Sequence, residues 1–107
     1  MKTVLITGAT SGIGKATAEL LAKSKFRLII CGRNEDVLNQ MKTDLSASTE
    51  IFSLKFDIRD NSQVENAFNS LPENWKNIDV LINNAGNAHG MDSLENGNVE
   101  DWDAMMD

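Results

Sequence analysis

The sequence predicts an α/β fold in which the strands of one parallel sheet alternate with helices. Three observations predict it. Short apolar runs rich in Val, Ile and Leu recur between longer segments of helical periodicity. The first run, Thr3 to Thr7, does not alternate apolar with polar, so it reads as a strand covered on both faces. Three glycines follow the first run at the point where a strand would turn into a helix. At 107 residues the chain suits one small domain, able to bury roughly two thirds of the surface its unfolded form exposes.

Thr3 to Thr7 is the first expected strand. From Ile13 the apolar positions Ile13, Ala16, Leu20 and Leu21 predict a helix to about Ser24, with these residues inward. Arg27 to Cys31 is the second strand. Asn34 suits the cap of the next helix, whose inner face would be Val37, Leu38, Met41 and Leu45. Ile51 to Phe56 is the third strand, closed by Asp57. Asp60 with Gln63 three residues on resembles a capping box, ahead of the stripe Val64, Ala67, Phe68 and Leu71. Pro72 is expected to stop that helix. Ile78 to Ile82 is the fourth strand. Asn98 and Asp101 could cap one more helix, with Trp102 and Met105 or Met106 inward.

This β-α-β-α-β-α-β order implies right-handed crossovers. The expected architecture is the N-terminal part of a Rossmann fold, with strands in the order 3-2-1-4 and ligand at their carboxyl edge. The formal net charge of −6 argues against nucleic acid or anionic membrane as partners, since both attract positive surfaces. One cysteine, Cys31, excludes an internal disulfide and reads as a buried small hydrophobe. The apolar start is too short for a signal or a membrane span, so cytoplasm is the expected compartment. A lone histidine, His89, and a lone cysteine give no metal site.

The turn Thr7-Gly8-Ala9-Thr10-Ser11-Gly12-Ile13-Gly14 carries the strongest functional signal. Gly8 lets the chain turn as it leaves the strand. Gly12 removes a side chain where a pyrophosphate must approach, and Gly14 lets the helix lie close to the sheet. Backbone N–H groups at the helix start would face the diphosphate, with the Thr10 and Ser11 hydroxyls as further donors. At the end of the second strand there is no acid to accept from a ribose diol. Arg33 stands there instead and offers a charged fork to a 2′-phosphate, which points to NADP. Glu35 and Asp36 fall in the first turn of the next helix, where its N-terminus stabilises them.

The spacing Thr-Gly-x-x-x-Gly-x-Gly resembles that of the short-chain dehydrogenases/reductases. Gly32-Arg33, Asp57-Ile58 and Asn83-Asn84-Ala85-Gly86 match the same family, each after an expected strand. The resemblance implies that Asp57 accepts from the adenine amino group beside the Ile58 backbone. It also implies that Asn84, Ala85 and Gly86 pass close to the cofactor ribose, and Ile13 of the glycine turn is counted among the cofactor-binding residues. Asn83 reads as structural, satisfying strand-end backbone groups. Residues 70–79 and 83–91 resemble the NADP-dependent 3-hydroxy acid dehydrogenases, a subgroup acting on serine or allo-threonine. That subgroup usually has an apolar residue where this chain has His89.

In such enzymes a serine, a tyrosine with a lysine four residues on, and an asparagine perform the proton chemistry. This chain contains no tyrosine, so no catalytic residue is assigned. The expectation is a 1–107 NADP-binding domain that stops before the catalytic region, the front two fifths or so of an oxidoreductase. Its parent would act on a small-molecule substrate and, as the family commonly does, form a homo-oligomer. The alternative is a non-enzymatic nucleotide-binding module built on the same half-fold.

Overall fold

The computed structural model of the chain describes residues 1–84. Four strands, β1 (Thr3–Thr7), β2 (Arg27–Gly32), β3 (Ile51–Lys55) and β4 (Val80–Asn83), form one parallel sheet in the order β3-β2-β1-β4. Three helices connect them: α1 (Gly12–Lys23), α2 (Glu35–Leu45) and α3 (Asn61–Asn69). A short 3-10 turn, Glu73–Trp75, precedes β4. The expected order 3-2-1-4 is the observed one. The final expected helix, with Asn98, Asp101, Trp102, Met105 and Met106, lies outside the described residues.

β1 is buried along its whole length because both sheet faces are covered there. On one face Leu5, Ile29, Leu54 and Leu81 pack with Val64 of α3 and with Leu71, Trp75 and Ile78 from the connection that follows it. On the other, Val4, Ile6, Leu28 and Ile30 meet Ala18 and Ala22 of α1 and Leu38, Met41 and Leu45 of α2. The inward face of α2 is the expected one, Val37 being partly buried beside those three.

The inward face of α1 differs from expectation. Ile13 and Leu20 are exposed at 78% and 65%, and Ala16 is exposed too. Gly14, Ala18 and Ala22 are buried instead, with Leu21 partly so. The reason is distance: the glycine turn brings α1 so close to the sheet that only small residues, spaced by four, fit between them.

The ends of the elements also shift for identifiable reasons. β4 starts at Val80 rather than Ile78, because Asp79 first ties the chain to Thr3: its N–H donates to Thr3 O at 2.9 Å, and its Oδ2 accepts from Thr3 N–H at 2.9 Å. Ile78 is buried without joining the sheet. α3 ends at Asn69, ahead of Pro72, and Leu71 is buried beyond the helix end. Asp60 caps α3 by accepting from the N–H groups of Ser62 and Gln63. The returning limb of the expected box goes elsewhere: Gln63 Oε1 accepts from Asp57 N–H at 2.9 Å, since Asp60 N–H is already bonded to Asp57 O. α1 closes with Lys25 in the left-handed region at φ 69°. Lys25 N–H donates to Ala22 O and Phe26 N–H to Leu21 O, the paired bonds of a Schellman ending.

Candidate functional site

All four strands deliver their carboxyl ends to one edge of the sheet, and a cavity of about 470 Å³ opens there. Of the residues expected at a site, Gly8, Thr10, Ser11, Arg33, Asp57, Ile58 and Asn84 line it. Gly12, Ile13 and Gly14 form the first turn of α1 beside it without lining it. Ala85 and Gly86, like His89, lie outside the described residues.

Each glycine of the turn has its own geometric reason. Gly8 adopts φ 61° as the chain leaves β1, a conformation costly for residues with a β-carbon. Gly12 has φ 29°, and a β-carbon there would meet nothing within 4 Å. That space is open to whatever approaches the helix. Gly14 is the reverse case, since a β-carbon on it would overlap the carbonyl of Gly8. Across the cavity, a β-carbon on Gly32 would come within 2.9 Å of Thr10 Cγ2. Gly32 therefore makes the room in which Thr10 sits.

The start of α1 is suited to an anion. Asn34 and Asp60 cap α2 and α3 with their side chains, whereas Ser11 makes no capping hydrogen bond to α1. Its hydroxyl faces Gly8 O at 3.5 Å. The first turn of α1 also carries no acid. Its leading N–H groups, which no helix can satisfy internally, are left with the positive end of the helix dipole.

At the β1–β4 seam, Thr7 Oγ1 donates to Asn83 Oδ1 at 2.6 Å, and Thr7 pairs with Asn83 in register. The partner in this bond is a side-chain hydroxyl, where strand-end backbone groups were the expected partners of Asn83. Next to it, Asn84 N–H donates to Thr7 O at 3.3 Å. The Asn84 side-chain nitrogen Nδ2 is buried with no hydrogen-bond partner. Such an orphan is costly unless something supplies an acceptor.

On the far wall, Asp57 is engaged in a way the sequence reading missed. Arg59 Nε donates to Asp57 Oδ1 at 3.1 Å and Nη2 to Oδ2 at 2.9 Å, while Arg59 N–H donates to Oδ1 at 3.0 Å. This fork holds the Asp57 carboxyl down at about 2, with help from the charge of Arg33. A carboxylate offers about four acceptor positions, so one on Oδ2 remains open. The sequence signal was available: an arginine two residues after a strand-end aspartate can close back on it. Arg33 is exposed at the cavity mouth with no ion-pair partner among the described residues. Cys31 lines the cavity floor but is buried, and burial raises its thiol far above the usual range. It is not poised as a nucleophile.

Among the described residues, no group of three or more His, Cys, Asp or Glu is arranged to hold a metal ion. No helix among them is long and apolar enough to cross a membrane.

The sequence profile of the short chain dehydrogenases matches residues 2–107. The chain belongs to that family. Within it, this chain is 38% identical over 104 residues to the NADP-dependent 3-hydroxy acid dehydrogenase YdfG of Escherichia coli O6:H1. The match covers 97% of this chain and 41% of that relative. A serine dehydrogenase from Escherichia coli superposes with a TM-score of 0.71 at 37% identity, over 96% of this chain and 46% of that one. An L-sorbose reductase from Gluconobacter frateurii, solved with NADPH and L-sorbose, gives 0.73 at 30% identity, over 80% of this chain and 34% of that one. The chain thus spans about two fifths of the length of the curated relatives it matches.

Proposed function

We propose that residues 1–107 form the NADP-binding unit of an oxidoreductase that moves hydride between NADP(H) and a small 3-hydroxy acid or its carbonyl form. The observation that carries the reading is Arg33, an unpaired cation at the mouth of the cavity where a ribose-binding acid would select NAD. The residues present fit a dinucleotide on three counts. Gly12 leaves open space, the first turn of α1 lacks a side-chain acceptor, and Asn84 Nδ2 is buried without a partner. When bound, the nicotinamide supplies the hydride chemistry. The chain's own residues bind and orient: α1 and Ser11 take the diphosphate, Thr10 stands beside it, Asp57 and Ile58 take the adenine, and Arg33 takes the 2′-phosphate. Asn84, with Ala85 and Gly86 by the family resemblance, is assigned to the cofactor ribose.

The relatives named for 3-hydroxy acids and for serine support the substrate class. Cytoplasmic residence and a homo-oligomer belong to the same reading. The chain has no tyrosine, and no catalytic residue is assigned within it. Fluorescence titration with NADPH and NADH tests the cofactor: NADPH should bind more tightly, and equal affinity or preference for NADH would refute the role given to Arg33. A turnover assay with 3-hydroxy acids should find the 107-residue chain inactive; measurable turnover would overturn its reading as a binding unit only.

A further inference from the structure

We propose that Lys55 is a second anchor, beside Arg33, for the phosphate that distinguishes NADP from NAD. The proposal rests on the NADP reading above and adds a residue to it. Lys55 ends β3 and pairs in register with Gly32, the last residue of β2. Paired strands lie about 4.8 Å apart, so Lys55 starts about one strand spacing from the backbone that carries Arg33. The pairing is held at this end by Phe56 N–H, which donates to Gly32 O at 3.0 Å.

Strand alternation decides where Lys55 points. Leu54 and Phe56 both pack into the core on the α3 side, so Lys55 between them faces the α2 side. There it lines a shallow recess of about 530 Å³ with Arg33, Asn34, Glu35 and Asp36. Arg33 and Asn34 line the main cavity as well. A nucleotide whose adenosine end occupies the cavity could therefore reach this recess with a substituent on its ribose.

Charge argues for the same placement. Neither Arg33 nor Lys55 has an ion-pair partner among the described residues. The acids that face them are Glu35 and Asp36 from the first turn of α2, and Asp57 near Arg33. Asp57 is occupied by Arg59. Within the recess two cations thus stand against two carboxylates. If Lys55 is neutralised, a phosphate faces two carboxylates with one cation to hold it, and repulsion prevails. Arg33 alone is then a poor anchor; the pair is an adequate one.

The test uses the 107-residue chain with Lys55→Gln and Lys55→Arg, titrated with NADPH, NADH, 2′,5′-ADP and 5′-AMP. Lys55 is exposed, so both variants should unfold at the wild-type temperature. Lys55→Gln should weaken NADPH and 2′,5′-ADP roughly three- to tenfold and leave NADH and 5′-AMP unchanged. Lys55→Arg should restore the phosphate preference. If the wild type prefers NADPH and Lys55→Gln keeps the same preference, Lys55 is not an anchor. If the wild type shows no preference, and Arg33→Ala changes nothing, the NADP reading itself fails and Lys55 falls with it.

Discussion

The carbonyl oxygen of Gly8 occupies the space that a β-carbon on Gly14 would need. The two residues belong to one turn, and their contact is what sets α1 against the sheet. Gly12, two residues before Gly14, meets nothing. One motif therefore contains a glycine required by packing and a glycine required by access.

This separates two substitutions that look alike. Gly14→Ala should cost about 3 kcal/mol, because backbone must move to admit the methyl group. Gly12→Ala should cost only about 1 kcal/mol, from its φ of 29°, yet abolish measurable nucleotide binding. Urea unfolding and NADPH titration on both variants read the two effects apart.

Acid should loosen the far wall of the cavity. Arg59 holds the Asp57 carboxyl near 2 in the folded chain, against an ordinary 3.8. A depressed carboxylate contributes stability that is complete above its unfolded value and is lost as pH falls toward the folded one. The loss should therefore run from about pH 4 down to about pH 2. Asp60, also lowered by its capping bonds, adds to the same limb. Asp57→Asn should flatten part of the slope in urea midpoints measured across that window; an unchanged slope would show that the fork contributes nothing.

At the opposite end of the sheet, Arg27 lies 3.9 Å over the ring of Trp75. Its Nη1 donates to Thr3 Oγ1 and to Asn74 O. Its Nε is buried without a hydrogen bond, with Glu50 Oε1 at 3.7 Å. Arg27→Ala should destabilise by about 2 kcal/mol through lost cation–π contact and lost cover for Trp75. Glu50→Gln should cost under about 1 kcal/mol, since its carboxylate is exposed. Chemical denaturation followed by circular dichroism measures both.

One position should be improvable. Lys25 holds φ 69° where helices favour glycine. Lys25→Gly relieves that strain but frees the unfolded backbone and gives up the Nζ bond to Ser48 O. A net gain of roughly 0.5 kcal/mol is expected, read as a small rise in melting temperature.

Much of the fold was legible in local pattern. The strands were marked by short apolar runs, and the caps of α2 and α3 by Asn34 and Asp60 before helical stripes. What escaped was set by contact between distant segments. Ile13 and Leu20 read as core because they are large and helically spaced, yet the close approach fixed by Gly14 admits only Ala18 and Ala22. Trp75 gave no signal of its own; Arg27 from β2, Phe52 beside it and the α3-side core make its environment. At the site, Gly8, Thr10, Ser11, Arg33, Asp57, Ile58 and Asn84 were foreseen as neighbours. The fork on Asp57 and the unpartnered amide of Asn84 depend on side-chain direction, which spacing does not encode.

The seam between Thr7 and Asn83 has a consequence for the order of assembly. β1 meets β2 across 24 residues, whereas it meets β4 across 76. Closing the longer loop costs more entropy and is the slower search. The β1-β2-β3 ribbon can therefore form first, with Asn84 joining the wall only when β4 docks. Refolding should regain most helical signal before nucleotide binding returns, because the last strand to arrive brings one side of the cavity with it.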